Sequence, residues 1–353
     1  MAIKVKNFKN KKEPEMSKLC FFMTMLFSFM LLLKFGCSSR EADMEKAKDE
    51  YSKGREAYLR FTPKGLDEAI ERYEKAIELD DRNALAYAGL GEAYSFLGMW
   101  NERNEVQRDN ELFEKSLGYS RKALELDQNS FVTHRALAAS YRGLGKFEDA
   151  RKEALKAIEL YPNDAEAYYL LWTVTGADPD SKYIKKALEL NPNLSIAYSD
   201  LGYIFYAKGN YEKAIENLNR AIELNPELIQ AHVNLGLALA ADKKLQEAEA
   251  EFKKAIKMNP NYLLAHYNLG IILGNQGKFD EAINEFEEAI EINPDFPEPH
   301  LALALAYESK GDAQEAIEQY NKFIGLASTD KTKYENIVGE AKNRIKKINT
   351  DGS

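Results

Sequence analysis

Four histidines and two cysteines carry the widest chemical range in this chain of 353 residues. His232, His266 and His300 follow one another at a constant interval, each three residues before a Leu-Gly or Leu-Ala pair, and His134 stands in the same local position. Side chains spaced in this way lie one structural repeat apart, too far to share a metal at bond lengths of about 2 Å. We therefore expect these histidines to pack between helices, and we expect no metal and no cofactor.

The other common arrangements for catalysis are missing from the sequence. With every histidine assigned to packing, no Ser/His/Asp or Cys/His set can be assembled, and no Gly-rich phosphate loop of the form GxxxxGK[ST] is present. Acidic residues alternate with lysine and arginine at helical spacing, as in residues 68–79, which is typical of a solvated helix face. The formal net charge of −9 gives no chain-wide electrostatic case for nucleic-acid binding. The sequence therefore predicts a protein that is not an enzyme and does not bind nucleic acid.

The N-terminal region has the features of an export signal. Fifteen uncharged, mostly apolar residues lie between Lys18 and Lys34, after a lysine-rich start. That length suits a secretory signal better than a membrane-spanning helix, which needs about 20 apolar residues. We predict a signal peptide over residues 1–36, with Met16 as an alternative to Met1 as the start.

Cys37, followed by two serines, resembles the lipobox of bacterial lipoproteins. The resemblance implies that Cys37 is lipid-modified and that residues 37–45 form a short tether in the bacterial cell envelope, with the rest of the chain outside the cytoplasm. Removal of residues 1–36, which hold seven lysines and two glutamates, changes the net charge from −9 to −14. Lys34 and Phe35 differ from the lipobox pattern, which leaves open an uncleaved membrane anchor or a cytosolic protein.

The remainder of the chain is built from one repeated unit. Equivalent positions recur with a period of about 34 residues, interrupted by one longer interval before Ala123 and one shorter interval before Ala187. These positions are Ala76, Ala123, Ala157, Ala187, Ala221, Ala255, Ala289 and Phe323. Leu-Gly pairs mark the first helix of many units, where glycine lets helices approach closely, and prolines follow and end the second helix. The period and these markers resemble the tetratricopeptide repeat (TPR) family.

The resemblance implies an all-α fold, a right-handed superhelical solenoid of about eight helix–turn–helix repeats with a C-terminal capping helix. The predicted repeats cover residues 46–83, 84–130 with an insertion, 131–164, 165–194 with a deletion, 195–228, 229–262, 263–296 and 297–330. Residues 331–348 form one apolar stripe and are predicted to be the cap, followed by a tail at residues 349–353. We expect the insertion to extend the two helices of its repeat and Trp100 to pack against them. A protrusion that contacts a specific partner is the alternative.

In TPR proteins the first helix of each repeat lines a concave peptide-binding groove. The resemblance assigns to this groove Tyr169, Tyr203, Tyr206, Val233, Asn234, Leu237, Tyr267, Asn268, Ile271, Leu301 and Leu305. Asn234 and Asn268 match positions of the carboxylate clamp found in co-chaperones. Leu264 and Tyr203 stand where that clamp needs Lys or Arg, so a clamp is not expected.

The apolar character of these positions has more than one interpretation. They can bind a partner's amphipathic helix or apolar peptide, with tyrosines as anchors, or they can be core between tightly wound repeats. Self-association in a homo-oligomer is a third possibility. At the level of function, a non-enzymatic scaffold for envelope assembly competes with a chaperone-like holdase that binds apolar segments.

Overall fold

The computed structural model describes residues 40–103, 110–328 and 331–351, and every regular element within those ranges is an α-helix. The signal-like segment and Cys37 lie outside the described residues. In chain order the helices are α1 (residues 40–58), α2 (Pro63–Leu79), α3 (Ala84–Arg103), α4 (Asn110–Leu126), α5 (Phe131–Gly143), α6 (Phe147–Leu160), α7 (Ala165–Val174), α8 (Lys182–Leu190), α9 (Ser195–Ala207), α10 (Tyr211–Leu224), α11 (Ile229–Ala241), α12 (Leu245–Met258), α13 (Leu263–Asn275), α14 (Phe279–Ile292), α15 (Pro297–Lys310), α16 (Ala313–Ala327) and α17 (Lys331–Asp351).

Neighbouring helices form antiparallel hairpins, and along most of the chain each hairpin packs against the next one. The pairs run from α1 and α2 through α15 and α16, and α17 packs against α16 at the C-terminal end. The prediction of an all-α solenoid is confirmed. Helix α17 ends at Asp351, three residues beyond the end predicted for the cap. Stacking of this kind leaves the first helix of each pair on the inner, concave side of the solenoid, which is the surface available to a ligand.

Close contact within a hairpin depends on the glycine of the first helix. A Cβ atom placed on Gly236 would lie 2.7 Å from the ring of Phe252, and one on Gly270 would lie 2.5 Å from Phe286. Because both aromatic side chains come from the second helix and are buried, the glycines provide the space that these rings fill. The same contact recurs from repeat to repeat, so it holds the first helices at a regular spacing along the inner face.

The first hairpin is joined by the residues RFTPKG in a compact turn. Thr62 caps α2, because its hydroxyl accepts a hydrogen bond from the backbone N–H of Gly65 at 3.0 Å, and Pro63 begins the helix. Phe61 has a φ of 51°, a left-handed conformation that is unusual for a bulky residue. The turn directs the Phe61 side chain into the protein, where it is buried.

The insertion in the second repeat extends α3 as far as Arg103, and α4 begins at Asn110. From the sequence, Trp100 is expected to pack within its own repeat. In the structure its ring makes an edge contact with Tyr262, with centroids 5.5 Å apart, and Tyr262 directly precedes α13, the first helix of the seventh repeat. Near this contact, Asn225 donates a hydrogen bond to the carbonyl of Arg60 across 165 residues of sequence, at 2.8 Å. The winding of the solenoid thus brings the first two repeats against the turns before the sixth and seventh.

Candidate peptide-binding groove

A cavity of about 580 Å³ opens on the inner side of the C-terminal half of the solenoid. Its walls come mainly from the first helices α7, α9, α11 and α13. The lining residues are Trp172, Thr173, Ala177, Asp200, Tyr203, Ile204, Gln230, Val233, Asn234, Leu237, Leu264, Tyr267 and Asn268. Six of these residues were assigned to the groove from the sequence, namely Tyr203, Val233, Asn234, Leu237, Tyr267 and Asn268.

The cavity has an apolar floor and a more exposed aromatic wall. Trp172 is fully buried in the floor, where its indole N–H donates to the carbonyl of Asp178 at 2.7 Å, and Val233 is also buried. Tyr203 keeps 48% of its surface exposed, which makes it the most accessible aromatic side chain of the cavity. Asp200 is the single charged residue in the lining that the structure describes, and it accepts a hydrogen bond from the Tyr169 hydroxyl at 2.7 Å.

The amide side chains that line the cavity form hydrogen bonds with neighbouring groups of the protein. Gln230 donates to the Asn234 side-chain oxygen at 3.0 Å and accepts from the Tyr262 hydroxyl at 2.7 Å. Asn268 donates to the backbone carbonyl of Leu264 one turn earlier, at 2.6 Å. Leu264 and Tyr203 lie in the lining, and none of the residues described there is a lysine or arginine. The cavity therefore has no cationic pair to hold a peptide's terminal carboxylate.

Tyr267 is partly buried at the C-terminal end of the cavity. Its ring lies 6.2 Å from that of Phe286 and 6.1 Å from that of Phe296, centroid to centroid. Burial raises the pKa of Tyr267 to about 12, and the nearby carboxylate of Glu298 acts in the same direction. Tyr267 thus has a core-like side and a cavity side, whereas Tyr203 is about half exposed.

Three other predicted groove residues lie outside this lining. The ring of Tyr206 lies 6.2 Å from both Tyr203 and Tyr211, so these tyrosines form an aromatic strip that continues from the cavity. Ile271 packs against the main core. Tyr169 lines two smaller cavities toward the N-terminal half, besides its contact with Asp200.

The last two predicted groove residues, Leu301 and Leu305, lie outside the cavity lining. Both side chains pack in the cluster that α15 and α16 form with the apolar stripe of α17. In the same helix, Glu308 accepts hydrogen bonds from Arg344 of α17 at 3.1 Å. The capping helix thus covers inner positions of the last repeat, because its apolar side chains need the same surface that a ligand would use.

The N-terminal half of the inner face is filled by the chain itself. Arg135 is buried and donates to Glu92 at 2.6 Å and to both oxygens of Asp164 at 3.0 and 3.1 Å, while Arg55 bridges Glu92 and Glu166. Burial alone would raise the pKa of Glu166, but Arg135 and Arg55 lower it to about 2. The network links the first helices of four consecutive repeats.

Aromatic side chains cover this network. Tyr58 and Phe61 are buried, and their rings contact each other and Phe96 at centroid distances of 5.3 to 6.2 Å. The cavity that remains beside them has a volume of only about 50 Å³, which is too small for a large peptide side chain. The N-terminal inner face is therefore core.

The main floor residue, Trp172, was missed from the sequence, although a signal was available. In the shortened fourth repeat it stands seven residues into the first helix, where Gly202, Gly236 and Gly270 stand in the following repeats. The second helix of that repeat, α8, has only nine residues. A tryptophan in place of the crossing glycine fills the space that the shorter helix leaves.

The histidines are buried between helices, as expected. Within the described ranges no three His, Cys, Asp or Glu side chains are close enough to hold a metal ion. None of the described helices is both long and apolar enough to span a membrane.

A solenoid of helical hairpins with a cavity along its first helices defines a class of protein, the helical-repeat scaffolds for protein–protein interaction. TPR repeat models match residues 65–98, 202–243 and 275–311, and further tetratricopeptide repeat models match residues 131–174, 183–216, 229–262, 251–284 and 297–330. The chain belongs to the tetratricopeptide repeat family.

Relatives and solved structures agree with this assignment. The chain is 31% identical over 107 residues to rat (Rattus norvegicus) serine/threonine-protein phosphatase 5, which covers 30% of this chain and 19% of the phosphatase. It is 25% identical over 224 residues to Hsp70-Hsp90 organizing protein 3 of Arabidopsis thaliana, with 46% and 40% covered. The chain therefore spans less than half the length of these curated relatives. The APC/C hetero-tetramer Cut9–Hcn1 shares the fold over 82% of this chain and 54% of that one, with a TM-score of 0.64 and 19% identity.

Proposed function

We propose that this protein is a non-enzymatic scaffold that binds an apolar peptide or helix of a partner protein in the C-terminal cavity. The observation that carries the proposal is the cavity of about 580 Å³ with Tyr203 exposed on its wall. Pockets of that size are typical of ligand sites, and tyrosines provide large, rigid contact area at low entropic cost.

The lining favours an apolar ligand over a charged one. Leu237, Leu264, Ile204 and Tyr267 offer apolar surface, whereas the amides of Asn234 and Asn268 are engaged on their own helices. The strip of Tyr203, Tyr206 and Tyr211 extends this surface beyond the cavity, so a ligand longer than the cavity still meets aromatic rings. The name of the Arabidopsis relative, an organizing protein for two chaperones, supports the idea of a scaffold with protein partners.

The proposed cellular setting is the bacterial envelope, with lipid on Cys37 holding the solenoid at a membrane. The support is the sequence alone, an apolar stretch of signal-peptide length followed by Cys-Ser-Ser. We expect the substitution Cys37→Ser to release the protein from the membrane fraction. Retention of the variant in that fraction would instead favour an uncleaved anchor.

The groove is tested by photo-crosslinking in cells from position 203, with the captured species identified by mass spectrometry. Phe147 is the matched control, because it is 54% exposed on α6 and lies outside the cavity lining. One dominant protein captured from position 203 and not from 147 is the expected result. Many unrelated clients would favour a holdase, and a self-crosslink would make the cavity an oligomer interface. The same species from both positions, or none from 203, would contradict the proposal.

A further inference from the structure

The four histidines share one unusual arrangement of ring partners. In His266, Nδ1 lies 2.7 Å from a carboxylate oxygen of Glu285 and Nε2 lies 2.8 Å from the carbonyl oxygen of Pro260. The glutamate comes from the second helix of the same repeat, and the carbonyl comes from the turn that ends the preceding repeat. Each ring therefore ties together the two helices of its hairpin and the hairpin before it.

The same geometry occurs in two further repeats. His232 lies between Glu251, at 2.7 Å, and the carbonyl of Pro226, at 3.1 Å. His134 lies between Glu153, at 2.6 Å, and the carbonyl of Gln128, at 3.1 Å. The side chains of His232 and His266 are more than nine-tenths buried, and that of His134 is 11% exposed, so water cannot easily replace a missing partner.

A neutral imidazole cannot satisfy both sides of such a bridge. It has one N–H donor and one bare nitrogen that only accepts, whereas a carbonyl oxygen and a carboxylate oxygen are both acceptors. In either tautomer a lone pair on nitrogen would face a lone pair on oxygen at 2.6 to 3.1 Å. One added proton, held between ring and carboxylate, makes both contacts attractive.

We infer that the bridge between His266 and Glu285 holds one proton in the folded chain and acts as a pH-sensitive fastener between helices of the solenoid. The bridges of His232 and His134 repeat its geometry. Burial acts to lower the pKa of His266, but Glu285, the Pro260 carbonyl and the charge of Glu288 on α14 outweigh it and raise that pKa above its usual value.

Two lysines of α12 also lie near these bridges. Lys254 lies 2.7 Å from the second oxygen of Glu251, so that carboxylate is shared between a lysine and His232. Lys253 of α12 lies in the field of Glu285, which also faces His266. His266 has Glu288 as an additional acidic neighbour, and we therefore centre the test on it.

The fourth histidine, His300, provides an internal control for the role of the carboxylate. Around His300 the glutamate is replaced by Gln319, whose side-chain oxygen is placed 2.8 Å from Nδ1, while Nε2 lies 3.1 Å from the carbonyl of Pro294. A glutamine amide can turn its NH₂ group toward Nδ1. A neutral ring with its proton on Nε2 then satisfies both contacts, so this bridge holds without an added proton.

The direction of the pH effect follows from the raised pKa of His266. Its contribution to folding stability is fully present below the unfolded value of about 6.5 and is lost as the pH rises through the higher folded value. His266 directly precedes the cavity residue Tyr267 on α13. If the proposed function holds, loss of this proton at alkaline pH loosens one of the helices that line the cavity.

The test is NMR of the folded protein with ¹⁵N-labelled histidine rings, followed from about pH 5 to pH 9, which reports how many ring nitrogens carry a proton. We expect His266 to keep two N–H groups above the pH of about 6.5 at which an ordinary imidazole loses one. A neutral His300 should carry its single N–H on Nε2. Loss of a proton from His266 at or below about pH 6.5 would overturn the inference. The readout does not depend on ligand binding, so it can fail or succeed separately from the proposed function.

Two isosteric substitutions exchange the glutamate beside His266 and the glutamine beside His300. Glu285→Gln should move the titration midpoint of His266 down by about one pH unit, since it removes the adjacent negative charge. Gln319→Glu should convert His300 to the pattern with two N–H groups. Circular dichroism establishes that both variants are folded, and an unchanged pattern in both would contradict the proton-holding role.

Discussion

The inner faces of the two halves of this solenoid are built from equivalent helices and have opposite character. In the N-terminal half, Arg135 and its acidic partners lie under Tyr58 and Phe61, and the space left is about 50 Å³. In the C-terminal half, the same side of the hairpins leaves a cavity of about 580 Å³ with Tyr203 on its wall. The repeat fold therefore supplies a concave surface, and the particular side chains on it decide whether that surface is core or binding site.

The largest effect is expected from the buried network. Arg135→Ala leaves the carboxylates of Glu92 and Asp164 buried without their main cation, which should lower the free energy of unfolding by about 3–5 kcal/mol. Chemical denaturation followed by circular dichroism measures this change. Removal of the exposed pair of Arg220 and Glu223 on α10, by Arg220→Ala, should cost under about 1 kcal/mol. Equal losses in the two variants would mean that the network is not the core of the N-terminal half.

The next largest effect concerns the contact that joins the halves. Trp100→Ala removes a ring that is 7% exposed and packed on Tyr262, so a loss of about 3 kcal/mol is expected. A double-mutant cycle with Tyr262→Ala separates the aromatic contact from the general loss of burial, and its coupling energy should be about 0.5–1.5 kcal/mol. Strict additivity would show that the two repeats do not support each other through these rings.

The sequence predicts the repeats well because their determinants are local. The Leu-Gly pairs, the alanines and the terminal prolines recur from one repeat to the next, and each acts on a helix one or two steps away. The contacts between Trp100 and Tyr262 and between Asn225 and Arg60 join repeats far apart in the chain, so they follow no period. The winding that brings them together depends on all intervening hairpins, and no local pattern in the sequence encodes it.

The candidate site also combines features that the repeat pattern predicts with features that depend on distant contacts. Six groove positions reached the cavity because their place on the first helix fixes the side of the solenoid on which they lie. Leu301 and Leu305 occupy the same helical positions, but α17 folds onto them. Tyr169 lies where the inner face turns from cavity to core, beside Arg135 in the smaller cavity. The position of a residue in the repeat predicts which side of the solenoid its side chain lies on. Whether another helix covers that side chain depends on the tertiary structure.

Within the cavity, two tyrosines should respond differently to truncation. Tyr203→Ala should change the free energy of unfolding by no more than about 0.5 kcal/mol, because the side chain is half exposed. Tyr267→Ala should cost about 2 kcal/mol, because it also removes contacts with Phe286 and Phe296. Both variants should weaken binding of the captured partner, measured by co-purification of the two proteins, if the cavity is the binding site. Unchanged partner binding by the Tyr203 variant would place the ligand elsewhere, and a large stability loss in that variant would make its ring core.

The smallest expected effect isolates the hydrogen bond between distant repeats. Asn225 has an equivalent one repeat later, Asn259, and in both residues the side-chain oxygen accepts from the backbone N–H two residues further on. Asn225 in addition donates to the Arg60 carbonyl. Replacement by alanine removes the same turn contact in either variant, so the extra cost of Asn225→Ala over Asn259→Ala, about 0.5–1.5 kcal/mol, measures the long-range bond. Equal costs would mean that the bond between Asn225 and Arg60 adds no stability, and that the contact between Trp100 and Tyr262 is the one that joins the two halves.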